Sequence, residues 1–114
     1  MNQKVGILSD MKCVQVTVSC SSAVEANALV EILLSQRLVA CGQIINSVQS
    51  FYHWQGQIAT SDECLLLLKT KQALFDRIEQ VIRVQHSYDV PEIIATPLVA
   101  ISEPYKKWID EETI

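Results

Sequence analysis

The sequence predicts an α+β fold in the order β-α-β-β-α-β, with an additional helix at the C-terminus. Three observations predict it. Val14, Val16 and Val18 alternate with Gln15, Thr17 and Ser19, the period of a half-buried strand. Apolar residues at helical spacing occur twice, at Ala26, Leu29, Val30, Leu33 and Leu34 and again at Leu74, Phe75, Ile78, Val81 and Ile82. Between the two helical patterns lies a β-rich stretch, 39–68, punctuated at Gln55-Gly56.

The elements follow in order. Residues 1–11 carry little pattern and read as a flexible tail ahead of a single domain over 12–114. The first strand starts at Cys13. Ser22 with Glu25 three residues later is a capping box, predicting a helix from there to about Arg37. The chain is β again from Val39 to Trp54, turns at Gln55-Gly56, where Gly accepts a positive φ, and returns into Cys64-Leu65-Leu66-Leu67-Leu68. Thr70 is a candidate cap for the second helix, and Glu79 and Arg83 form an i,i+4 pair on its outer side. Pro91 stops any helix. Ile93 to Ile101 reads as a last strand with a bend at Pro97, and Ser102 caps a short helix carrying Pro104 in its first turn. This is the ferredoxin-like arrangement, an antiparallel sheet with two helices on one face. The four leucines point to both sides of the sheet, so the second face is apolar too. One short helix covers it poorly, which predicts burial against identical subunits.

Composition agrees. Of 114 residues, 49% are hydrophobic and 19% charged, an apolar excess for so small a domain and a second sign of covered surface. The net charge of -4, with nine scattered Lys and Arg, excludes the basic face that nucleic acid requires. The N-terminal residues hold no signal-like apolar run, and no stretch approaches a membrane span, so the expected compartment is the cytoplasm. Cys13, Cys20, Cys41 and Cys64 form no CxxC pair and read as small buried hydrophobes. Gly6, Gly42 and Gly56 are too far apart for a phosphate or dinucleotide loop, and no nucleophile–base pair stands out, so the chain reads as a non-enzyme with no organic cofactor.

Two segments concentrate chemistry. Phe51-Tyr52-His53-Trp54 is either a hairpin packed on its own neighbours or the aromatic wall of a contact between subunits. His86-Ser87-Tyr88-Asp89-Val90-Pro91-Glu92 places an imidazole among oxygen donors on a loop, where His86 is either a hydrogen-bonding residue or a metal ligand.

Taken with Leu38-Val39-Ala40-Cys41, Glu63 to Thr70 and Tyr105-Lys106-Lys107-Trp108-Ile109, these segments resemble the CutA family, the divalent-cation tolerance proteins, in order and spacing over about residues 13–110. The resemblance implies a homotrimer with hairpins pairing across subunit edges. It also implies copper(II) or another divalent cation as ligand, with His86, Glu63 and Glu92 as ligand candidates, and a role in metal homeostasis. The alternative it leaves open is a PII-like signalling or scaffold trimer, binding a small molecule or partner protein in an intersubunit cleft near Tyr52, Trp54, Lys69, Tyr88 and Trp108. The chain departs from the family where Asn46, Ser87 and Asp89 stand. It departs also at Val18 and Gln85, where copper-binding members are described with a thiol and a second His.

Overall fold

The computed structural model describes residues 10–114, so most of the tail expected over 1–11 lies outside the described residues. The elements are β1 (Cys13–Cys20), α1 (Ala23–Ser35), β2 (Cys41–Trp54), β3 (Gln57–Lys71), a 3₁₀ turn (Gln72–Leu74), α2 (Phe75–Gln85), β4 (Ile93–Pro97) and α3 (Glu103–Glu112). The sheet order is β2-β3-β1-β4, and all three pairings are antiparallel. β1 and β2 therefore leave a gap that β3 fills, the split β-α-β arrangement.

Alternation in β1 and β3 sorts the side chains. Val14, Val16, Val18, Cys20, Cys64, Leu66 and Leu68 are buried under Ala26, Leu29 and Leu33 of α1 and Ile78 and Ile82 of α2. Leu65 and Leu67 face the other side and stay half-buried. α3 covers only one end of that second face: Ile109 is buried, Lys71 pairs with Asp110 at 3.1 Å, and the Cys41 Sγ and Tyr105 hydroxyl stand 3.6 Å apart. Ile45 and Ile94, in register with Leu65 and, through Thr17, with Leu67, remain exposed.

The ends of α1 are set locally. Ser22 Oγ accepts the Glu25 N–H at 3.2 Å. At the other end Arg37 adopts φ 56°, its N–H donates to the Leu34 carbonyl, and the Leu38 N–H donates to the Leu33 carbonyl. That is a Schellman motif, with buried Leu38 closing over Leu33. Ser102 caps α3 as expected, accepting the Tyr105 N–H at 3.4 Å, and Glu79 and Arg83 pair at 3.2 Å.

Two local readings are corrected. Thr70 does not cap α2. β1 begins opposite Lys71, so β3 extends through Thr70, and the helix starts at Phe75 after the 3₁₀ turn without a side-chain cap. Thr70 is instead buried, its hydroxyl donating to the Leu38 carbonyl at 2.6 Å and fastening the end of α1 to the sheet. Thr70→Val should cost about 1–3 kcal/mol, because it leaves that carbonyl dry and unpaired; urea denaturation measures it, and a change within error would show the bond to be dispensable. The last strand also ends at Pro97 rather than Ile101. Proline offers no N–H, and the Leu98 N–H makes the last bond, to the Cys13 carbonyl at 3.0 Å.

β2 and β3 continue together past the end of β1. Beyond the Cys20–Cys64 pair only the two of them remain, turning at Gln55 (φ 51°) and Gly56 (φ 77°). A bulge between Ile45 and Val48, with Ser47 at φ 62°, lies where the ribbon leaves the sheet. The projecting arm stretches the molecule to 59 × 26 × 22 Å. Phe51, Tyr52, His53 and Trp54 are all exposed on it, Trp54 at 62%, so within one subunit the aromatics do not pack on neighbours.

Candidate metal centre

The end of β1, the start of α1, the loop after α2 and the base of the hairpin meet at one place. α2 ends at His86, whose backbone turns to an extended conformation (ψ 144°) and sends the imidazole inward. The ring is fully buried. Its Nε2–H donates to the Ser19 carbonyl at 2.7 Å, since a carbonyl only accepts. Its Nδ1 accepts the Tyr88 N–H at 3.0 Å, and the Tyr88 ring covers it at a centroid distance of 4.8 Å. The bond to Ser19 thus fixes the tautomer and makes Nδ1 the acceptor, its lone pair taken by the Tyr88 N–H, with the Glu25 Oε2 3.8 Å away.

Glu25 is more than a cap. The capping box would send its carboxylate to the Ser22 N–H. Instead Oε1 accepts the Ser21 N–H at 2.9 Å and the Ser21 hydroxyl at 3.0 Å, while Oε2 accepts the Ser87 N–H at 2.7 Å. Burial works to raise its pKa, but these hydrogen bonds outweigh burial and hold the carboxyl below the usual range. The Cys20 sulfur completes the group: Cys20, Glu25 and His86 offer ligand atoms within 4.8 Å of one another. Burial, then the nearby charge of Glu25, pushes the Cys20 thiol up to about 12, so the sulfur keeps its proton at neutral pH.

The other sequence candidates fall elsewhere. Glu63 accepts the Tyr88 hydroxyl at 2.7 Å, one residue pair beyond the last rung of β1, and Glu92 has an exposed side chain while its carbonyl accepts the Ser19 N–H at 3.4 Å. Neither shares the three-donor group with His86. Lys69 bonds Gln43 on the open sheet face, Tyr52 and Trp54 lie on the hairpin, and Trp108 stacks on Tyr105 at 5.4 Å on α3. Sequence reasoning missed Cys20 and Glu25 as donors. Glu25 had already been assigned to the helix cap, and Cys20 is 66 residues from His86, a distance that only sheet pairing closes.

Base should loosen the molecule. Burial and the bond to Glu63 raise the Tyr88 phenol, and its contact with Cys41 and burial bring Tyr105 to about 12. Cys20 joins them. Each holds its proton more tightly folded than unfolded. Their stabilisation is therefore complete below the ordinary values of 9.0 for thiol and 10.0 for phenol, and is lost as pH climbs toward 12. The urea midpoint should fall across that window, and less steeply in Tyr88→Phe. A flat profile to pH 12 contradicts the assignment.

Fold and site together define a small α+β sandwich with an open apolar sheet face and soft and hard cation donors gathered at one strand end. The chain belongs to the CutA1 divalent ion tolerance protein family, whose profile matches residues 14–112. It is similar to the divalent-cation tolerance protein CutA of Thermus thermophilus, 34% identical over 98 residues that make up 86% of this chain and 95% of that one. It is also similar to the chloroplastic protein CutA of Arabidopsis thaliana, 35% identical over 77% of this chain; there the chain spans 46%, under half, of the relative's length. The crystal structure of CutA1 from Oryza sativa superposes with a TM-score of 0.88 at 31% identity, covering 90% of this chain and 94% of that one. Among the described residues no helix is long and apolar enough to cross a membrane.

Proposed function

We propose that this protein supports divalent-cation tolerance by binding copper or another divalent cation as a homotrimer, without catalysing a reaction. The observation that carries the proposal is the His86 Nδ1, an unprotonated acceptor fixed by the bond of Nε2–H to the Ser19 carbonyl, 3.8 Å from the Glu25 carboxylate and able to take a cation in place of the Tyr88 N–H. An imidazole whose far N–H is bonded to a carbonyl is the usual form of a histidine ligand. Imidazole with carboxylate suits Cu(II) and Zn(II). Glu63, whose carboxylate holds the Tyr88 hydroxyl, and Glu92 remain proposed as further donors, both outside the Cys20, Glu25 and His86 group. Assembly is supported by the half-covered Leu65 and Leu67 face and by the projecting two-stranded arm, a structure only marginally stable alone in water. Free thiols at all four cysteines fit a reducing compartment such as the cytoplasm.

Calorimetric copper titration tests the reading. His86→Ala should lose most of the affinity and His53→Ala should not; unchanged affinity and stoichiometry in His86→Ala overturns it. Assembly has its own check. Subunit burial stabilises only the folded state, so the melting temperature should rise with protein concentration over a hundredfold range, and reversible melting without that rise speaks against coupled assembly.

A further inference from the structure

We infer that Lys69, Gln43, Gln15 and Thr96 form a binding site for a small organic monocarboxylate on the open face of the sheet, closed by a second copy of this chain. The inference goes beyond cation binding and rests only on the assembly part of the proposed function. Lys69 is opposite Cys41 of β2 on one side and Gln15 of β1 on the other, and Gln15 is opposite Thr96 of β4. One rung therefore runs across all four strands. Alternation puts its side chains on the face of Leu67, away from the helices that cover Leu66 and Leu68. Gln43 joins from the next rung, opposite Leu67.

The rung is a set of donors around one charge. The Lys69 ammonium donates to the Gln43 Oε1 at 3.2 Å. An ammonium has no acceptor, so the oxygen of Gln43 is turned to it and the amide NH₂ is left to donate elsewhere, with two further ammonium protons beside it. Gln15 and Thr96 add an amide and a hydroxyl. No carboxylate balances the charge. The ion pairs among the described residues are made by Lys71, Arg83, His86 and Lys107, not by Lys69. The four-stranded part of this face carries no Asp or Glu on its strands, and Asp110 of α3 is already held by Lys71 at 3.1 Å. Lys69 is half-buried in one subunit. Once a copy covers the face, its ammonium loses water as well, and a buried cation without a counter-charge is strongly unfavourable.

Charge and borders select the ligand. The unbalanced charge is single, so a monoanion meets it, whereas a polyphosphate would bring negative charge that nothing here compensates. A carboxylate offers two oxygens with about four acceptor positions to the donors of Lys69, Gln43 and Gln15. Apolar surface lies on both sides for the rest of the molecule. Towards the hairpin the next rung carries Leu67 and Ile94. Towards α3, the Tyr105 hydroxyl stands 3.6 Å from the Cys41 sulfur and Trp108 stacks on the Tyr105 ring. The competing reading is that a carboxylate of the neighbouring copy supplies the counter-charge.

The test uses the full chain, with benzoate as the probe, and reads calorimetry and light scattering on the same sample. The assembled chain should bind about one benzoate per subunit, and benzamide, the same ring without the charge, about tenfold more weakly or worse. Lys69→Met keeps the apolar stem, removes the charge and should weaken benzoate about tenfold or more, while Lys12→Met, at an exposed position away from the rung, should not. Should Lys69→Met fail to fold or assemble, Gln15→Leu takes its place, with a loss of about tenfold expected for one hydrogen bond to a charged group. An assembled chain that ignores benzoate, or takes benzamide equally well, overturns the inference and leaves cation binding untouched. So does full benzoate affinity in Lys69→Met. If the parent ignores benzoate and Lys69→Met falls apart into subunits, the counter-charge belongs to the neighbouring copy and the ligand site falls. A parent of 12.8 kDa removes the cover on which the site depends, and the assembly reading falls together with it.

Discussion

Leu66→Ala should destabilise the folded chain by about 2–5 kcal/mol, the cost of removing a buried leucine side chain whose space the surroundings refill only in part. Leu66 has no exposed surface. It sits on β3 opposite Val18 of β1 and Ile44 of β2, under both helices, so no single element can move in to close the gap. Urea denaturation at a fixed protein concentration measures the loss. A difference under about 1 kcal/mol would mean that the helices do not close over the sheet as described.

The next residue along the chain should behave in the opposite way. Leu67→Glu is expected to leave the chain folded and to break the proposed trimer. Leu67 points to the open face, opposite Thr17 and Gln43, beyond the reach of the α3 contacts at Lys71 and Cys41. In a single subunit the new carboxylate can reach water. In the proposed trimer, where a neighbouring copy covers this face, it would be buried once per subunit, and an uncompensated buried charge costs several kcal/mol. About 4 kcal/mol is already a factor of about a thousand in association. Light scattering at micromolar concentration should give three times 12.8 kDa for the parent and 12.8 kDa for the variant, with the far-ultraviolet circular dichroism of both alike. A parent of 12.8 kDa, or a variant that stays assembled, would remove the open face as the interface.

Adjacent leucines with such different expected effects show what periodicity gives. An unbroken Leu65–Leu68 run already says that both faces of the strand are apolar, because side chains alternate with period two. Which two leucines meet the helices depends on register, and that belongs to the pairing of β3 with β1 and β2.

The same division runs through the molecule. Sequence by itself determined whatever is decided within one turn or one rung. Ser22 and Ser102 accept helix N–H groups three residues on, Gln55-Gly56 takes two positive φ angles, and valines alternate in β1. Tertiary structure decided what depends on residues far along the chain. Thr70 is by type equally fit to cap a helix or to bond across a sheet, and it does the second because Leu38, 32 residues away, offers a carbonyl. Glu25 reads as half of a capping box, yet it bonds Ser87, 62 residues on. His86 gains its tautomer from Ser19, 67 residues back, and Cys20 gains its neighbour only through the register of β1 with β3. Helix caps and strand alternation act over a few residues through local dihedrals and hydrogen bonds, so they are written in the chain. A donor cluster is made by strand pairing and helix docking, which bring remote residues within a few ångströms only after the core has formed.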